Sequence, residues 1–200
     1  MNRARLASDF AAQQSRRFDD LAEDMSKTAA VDRVAADFYV AMAAAASASY
    51  VFSLGDALAY PSLRVATGFG TVGRLDLVLS DPDLAKIAEA ALRPLDLGES
   101  VRVHWGTPAQ VVPGINGPYD LVMARTEPAM FLELYDYVVR LLRTGGSLLL
   151  GPWHRAGDDG DEDQPRPEGE AELLERLAED SRFVAYLPAT ESPLIAVRRR

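Results

Sequence analysis

Two histidines and two tryptophans occur in the whole chain, and they fall in two pairs, His104-Trp105 and Trp153-His154. Arg155 follows the second pair, and Arg125 lies between the two. An imidazole moves protons near neutral pH, a guanidinium pairs with an oxyanion, and an indole stacks on a planar group. Together these residues suit a pocket for an anionic or aromatic small molecule. His104, His154 and Arg125 are the candidate catalytic groups, with the histidines as a proton-transfer pair. The alternative is that the tryptophans fill a cleft and the polar groups bond to backbone. A different chemistry is suggested by Gly68-Phe-Gly70-Thr-Val-Gly73, which has the G-x-G-x-x-G spacing of a dinucleotide loop. That loop works when it leaves a strand and opens a helix, whose N-terminus then holds phosphate. Here the next residues, Arg74-Leu-Asp-Leu-Val-Leu-Ser80, read as a strand. The motif is therefore expected to be a loop, or the turn after a short strand at 63–66.

The background to these groups is ordinary. Two hundred residues with 48% hydrophobic content suffice for one domain with a sizeable core. The chain has no cysteine, which excludes disulfides, thiolate nucleophiles and Cys-ligated metals and fits a cytoplasmic protein. No apolar run reaches the ~18 residues of a membrane span, and no apolar signal core marks a secretory leader. A net charge of −9 argues against non-specific nucleic-acid binding. Eight carboxylates against one arginine lie between Ala156 and Glu172, so the charge belongs to one stretch rather than to the fold. With its Gly and Pro residues, 156–171 reads as a solvated, mobile loop without the frame of a calcium site.

Hydrophobic spacing places the elements that must position the chemistry. Leu6, Phe10, Phe18, Leu21 and Met25 mark a first amphipathic helix. A second spans 28–47, with Val31, Val34, Phe38, Met42 and Ala45 on one stripe. Strands are expected at Tyr50–Leu54, Leu75–Leu79, Val101–Trp105, Tyr119–Ala124, Ser147–Leu150, 182–187 and 194–197. Helices are expected at 83–92, 127–143 (stopped by Gly145-Gly146) and 171–179. Alternating strands and helices imply a parallel sheet covered on both faces, and the short turn between the last two strands makes that pair antiparallel. The organisation expected is an N-terminal helical part over 1–48 packed on an α/β domain over 49–200.

From about Tyr50 to Gly157 the order and spacing resemble the class I S-adenosylmethionine-dependent O-methyltransferases, in particular the bacterial caffeoyl-CoA/catechol O-methyltransferase-like group. Tyr50-Val-Phe-Ser-Leu-Gly55 resembles the first strand and glycine loop, and Gly73–Pro82 the second strand with its Asp-Pro ending. Val103-His-Trp-Gly-Thr107 is similar to the third strand and adenine loop, Tyr119-Asp-Leu-Val122 to the fourth strand, and Leu141–Leu150 to the fifth. The resemblance implies a Rossmann-like fold with a mostly parallel seven-stranded sheet, an antiparallel C-terminal strand and two preceding helices. It also implies a homodimer, and S-adenosylmethionine held near Gly55, Asp56, Asp81, Gly106 and Thr107.

The family's functional positions are altered. The acidic, glycine-rich first loop is replaced by Ser53-Leu-Gly55-Asp-Ala57-Leu-Ala59-Tyr-Pro61, whose side chains crowd the cofactor path. Leu79 stands where an acid binds the ribose hydroxyls. The three oxygen ligands of metal-dependent members are replaced by Arg125, Gly151 and Pro152, so no metal is expected. Two readings result: a divergent, metal-free methyltransferase with weak or altered S-adenosylmethionine binding, or an inactive relative acting as a binding or dimeric assembly module. A nucleotide binder using Gly68–Gly73 is a third.

Overall fold

The structure is a computed structural model and describes residues 18–27, 31, 33–68, 73–152, 167–187 and 193–199. Two helices come first, α1 (Asp19–Ser26) and α2 (Arg33–Ala45). They are followed by β1 (Tyr50–Leu54), α3 (Ala59–Ala66), β2 (Arg74–Leu79), α4 (Pro82–Leu92), β3 (Val101–Trp105), the single turn α5 (Pro108–Val111) and β4 (Tyr119–Ala124). The remainder is α6 (Pro128–Leu141), β5 (Leu142–Leu150), α7 (Glu170–Glu179), β6 (Phe183–Tyr186) and β7 (Leu194–Arg198).

The seven strands form one sheet in the order β3-β2-β1-β4-β5-β7-β6. β3, β2, β1, β4 and β5 run parallel, and β7 is antiparallel to both β5 and β6. β1 and β4 at the centre are almost continuously buried, as strands covered on both faces must be. One face packs under α1–α4, with Val51, Leu75, Leu77, Leu121, Met123 and Leu149 in that core. The other packs under α6 and α7 with Phe52, Leu54, Val122, Leu148 and Leu150. The mostly parallel seven-stranded α/β architecture expected from the sequence is the one observed. No described helix is long and apolar enough to cross a membrane.

Local departures have local causes. Residues 63–66 are helical, within α3, rather than a strand, so the first crossover helix is present. Gly68 follows that helix and Gly73 precedes β2, the reverse of the strand-to-helix context a dinucleotide loop needs; Gly70 lies outside the described residues. On α2 the buried seam is Ala36, Tyr39 and Ala43, while Val34 is 78% exposed. The small alanines let α2 approach α3, and Val31, Phe38 and Met42 pack partly buried at the margin. α6 stops at Leu141, before the glycine pair, because Leu142 turns extended and begins β5. Gly146 instead lies inside β5, where a Cβ would sit 3.0 Å from the Asp120 carbonyl oxygen. Leu6 and Phe10 of the first predicted helix, and most of the acidic stretch 156–171, lie outside the described residues.

Candidate functional site

In an open α/β sheet, ligands bind beyond the carboxyl ends of the strands. β1 ends there at Gly55, whose φ is +119°. A Cβ at this position would overlap the Arg125 carbonyl oxygen, so glycine is required by the approach of the β4 exit to the β1 exit. Asp56 turns its Oδ1 to the β2 exit and accepts from Ser80 N at 2.7 Å and Asp81 N at 3.2 Å. Asp81 in turn caps α4, accepting from Asp83 N at 2.8 Å and Leu84 N at 3.1 Å. Leu79 is fully buried and offers no acceptor. Gly106 N donates to the Leu79 carbonyl at 3.0 Å, and Thr107 is the residue before α5, with its N bonded to Gln110 Oε1 at 3.3 Å. The five residues that the resemblance implied as cofactor contacts are thus at one edge. Gly55, Asp56, Asp81 and Gly106 already have a part in holding the strand exits together, and Thr107 bonds to α5. The loop after β1 leads directly into α3, whose residues Ala59–Ala66 are all buried. Ser53, where an acid would stand, is buried and accepts from Ser62 Oγ at 2.6 Å. These residues do not fit the family's ordinary grip on S-adenosylmethionine.

The positions of the three metal ligands also converge. Arg125 N donates to Leu54 O and Gly151 N to Ala124 O, both at 2.9 Å, which aligns the β1, β4 and β5 exits. Tyr39 of α2 reaches over this edge and donates its hydroxyl to the Gly151 carbonyl at 2.7 Å. What the edge presents is a half-buried guanidinium, a glycine and a proline. A hard divalent cation needs oxygen ligands, and this donor set does not fit one. Among the described residues no three His, Cys, Asp or Glu side chains gather in a metal-binding group. Trp105 is 66% exposed, so it does not fill a cleft. Trp153, His154 and Arg155 lie outside the described residues.

His104 does not project over the edge. It turns along the face of the sheet to Asp76 on the neighbouring strand, with Nε2 2.8 Å from Asp76 Oδ1. Asp76 Oδ2 accepts from Arg74 Nε at 2.7 Å and from the Tyr119 hydroxyl at 2.8 Å. The Arg74 guanidinium also lies over the Tyr119 ring. Burial pushes the Asp76 carboxyl upward, but the bonds from His104, Arg74 and Tyr119 outweigh it and bring its pKa down to about 2. An ionised carboxylate only accepts, so His104 Nε2 carries a hydrogen. Burial and the Asp76 bond raise the Tyr119 hydroxyl well above the usual phenol range. This cluster escapes a reading by motif. Its signal is the aspartate in the otherwise apolar strand Leu75–Leu79, and its three donors come from residues 2, 28 and 43 positions away.

No family model matches the chain. It is 23% identical over 134 residues to a catechol O-methyltransferase of Niastella koreensis, a match covering 65% of this chain and 61% of that protein. The chain therefore spans about three fifths of the length of that curated relative. Among solved structures it is similar to an O-methyltransferase from Bacillus cereus in complex with SAH, with a TM-score of 0.77 and 16% identity, covering 92% of this chain and 90% of that one. It is also similar to the O-methyltransferase TomG of Streptomyces achromogenes, involved in tomaymycin synthesis and solved in complex with SAM. That match has a TM-score of 0.71 and 22% identity over 96% of this chain and 89% of the other.

Proposed function

We propose that this chain, which has the fold of the class I O-methyltransferases and resembles them in sequence, has left that family's cofactor and metal chemistry and serves as a binding module on the retained scaffold. The observation that carries the reading is the use of Asp56 and Asp81. Both carboxylates nearest the cofactor edge engage backbone amides through one oxygen each, Asp56 on the β2 exit and Asp81 on the α4 N-terminus. Buried Leu79 leaves no acid there for ribose hydroxyls. Arg125, Gly151 and Pro152 put a positive charge where a metal would need anionic oxygens. A homodimer and a cytoplasmic location belong to the same proposal. They rest on the family resemblance and the absence of cysteine.

A second reading keeps S-adenosylmethionine by altered contacts. It is favoured by the glycine turns at Gly55 and Gly106, still at the ends of β1 and β3, and by Trp105, exposed beside them and able to stack on a planar base. Calorimetric titration of the purified protein with S-adenosylmethionine and S-adenosylhomocysteine separates the two. Absence of binding at millimolar ligand is the expected result. Micromolar affinity for either compound overturns the binding-module reading and supports a divergent methyltransferase.

A further inference from the structure

Two apolar surfaces stand uncovered on the side of the sheet that carries α1–α4. The first is on β7 and β6. Residues alternate faces along a strand. Phe183, Leu194 and Ala196 belong to the core under α6 and α7. Val184, Tyr186, Ile195 and Val197 therefore share the opposite face, where the register pairs Val184 with Val197 and Tyr186 with Ile195. Paired side chains on one face stand about 5 Å apart, so the four form one patch. The helical cover ends at its margin. Leu149 is fully buried, and its register partner Ile195 packs partly buried against the same core. Beyond it Val197, Val184 and Tyr186 are 40%, 58% and 64% exposed.

The second surface is on α2, whose buried seam is Ala36, Tyr39 and Ala43. Val34, Phe38 and Met42 follow one another at i, i+4 and i+8, which sets them in one ridge on another side of the helix. Val34 is 78% exposed, and Phe38 and Met42 are only partly buried. The charged residues of α2 are Arg33 and Asp37, and they pair with Asp19 and Arg64. A helix that is apolar nearly all round is one that is covered nearly all round. No side chain of the ridge or of the β6–β7 patch is charged. Together the two surfaces leave roughly 500 Å² of apolar side chain in water, the range in which exposed patches serve contacts. A two-fold axis that covers both surfaces on both copies buries about 1,000 Å² in these groups alone, the size at which specific interfaces begin.

We propose that the two surfaces cover each other between two copies of this chain: the α2 ridge of one copy packs on the β6–β7 patch of the other, and the reverse contact closes the pair. A helix laid on a sheet is how the rest of this molecule buries its apolar faces. Because each copy supplies both halves of the contact, two copies leave neither surface open, whereas a one-way contact would continue into a chain of copies. This contact rests on the homodimer proposed above and assigns the surfaces that form it.

Sedimentation velocity of the full chain gives the number of copies, and two charge variants locate the contact. Val34→Glu on α2 and Val184→Lys on β6 each put a charge into a covered surface. Both positions are exposed in the single chain, so the circular dichroism of each variant should match that of the wild type. Each variant alone should weaken the dimer about a hundredfold or more, since an unpaired charge is costly to bury. Mixed in equal amounts, the two variants should form a heterodimer, because one contact then joins opposite charges and the other is that of the wild type. A wild type that sediments as a monomer overturns this contact and the homodimer together. A wild-type dimer that survives either variant, or that is lost in both and not recovered on mixing, overturns the assigned contact and leaves the homodimer standing.

Discussion

Asp76 shows how one residue couples this fold to pH. Its folded-state pKa of about 2 lies below the ordinary 3.8, so its stabilising contribution is complete above the unfolded-state value and is lost as pH falls toward 2. Removing the charge while keeping the shape turns one of the two acceptor oxygens into an NH2 donor, so that either His104 or the Arg74–Tyr119 pair loses its acceptor. Asp76→Asn should cost about 3 kcal/mol near neutral pH, as removal of one member of a buried ionic cluster does. It should also flatten the stability profile in the acid range. Urea unfolding of both proteins between about pH 5 and pH 2.5 checks this, with the wild type losing more stability on acidification. A steeper acid loss in the variant would remove Asp76 as the cause. At this scale the sequence was partly legible. Asp81 was legible as the Asp-Pro ending of a strand and is a helix cap, but His104 read as a catalytic candidate because its carboxylate partner lies 28 residues away on another strand.

At the scale of elements, patterns that depend on near neighbours were readable. Asp81-Pro82 opens α4, with Pro82 in the first turn and the Asp81 carboxylate on two free amides. Asp81→Ala should therefore destabilise the protein by about 1 kcal/mol, read as a lowered urea midpoint with an unchanged slope. A loss well above that would mean that Asp81 has another buried role. The strand runs were legible because apolar β stretches between turn residues have few other uses. The end of α6 was not. Gly145-Gly146 looked like a helix stop, yet the helix ends four residues earlier, where Leu142 pairs with Tyr119 and the chain must already run as strand. The buried face of α2 was also misjudged, because small alanines give a weak hydrophobic signal although they permit close helix packing.

The whole molecule joins its N-terminal helices to the α/β layer by both apolar and ionic contacts. Arg64 of α3, only 5% exposed, meets Asp37 of α2 at 2.6 Å and lies over the Phe18 ring before α1. Asp37→Ala would remove this carboxylate from the guanidinium, and about 2 kcal/mol should be lost, the usual worth of a hydrogen bond to a charged group. Replacing both partners, Asp37→Ala with Arg64→Met, should recover part of that loss, since an apolar pair restores packing between the helices. Chemical denaturation of the single and double variants reads the difference. An equal loss in both would show that packing at this position does not join the layers.

The fold class was determined by the sequence because alternating strand and helix periods, with turn residues between them, leave a covered parallel sheet as the way to bury every apolar face. That Arg125, Gly151 and Pro152 offer no oxygen-bearing side chain to a metal was equally plain, since ligating chemistry is a property of side-chain type. Only the tertiary structure decided how the surviving groups are used. Asp56 is committed to the β2 exit, Tyr39 spans from α2 to Gly151, and Asp76 draws donors from three strands. Hydrogen bonding depends on distances of about 3 Å between atoms that strand order brings together, and residues far apart in the chain carry no local mark of that meeting.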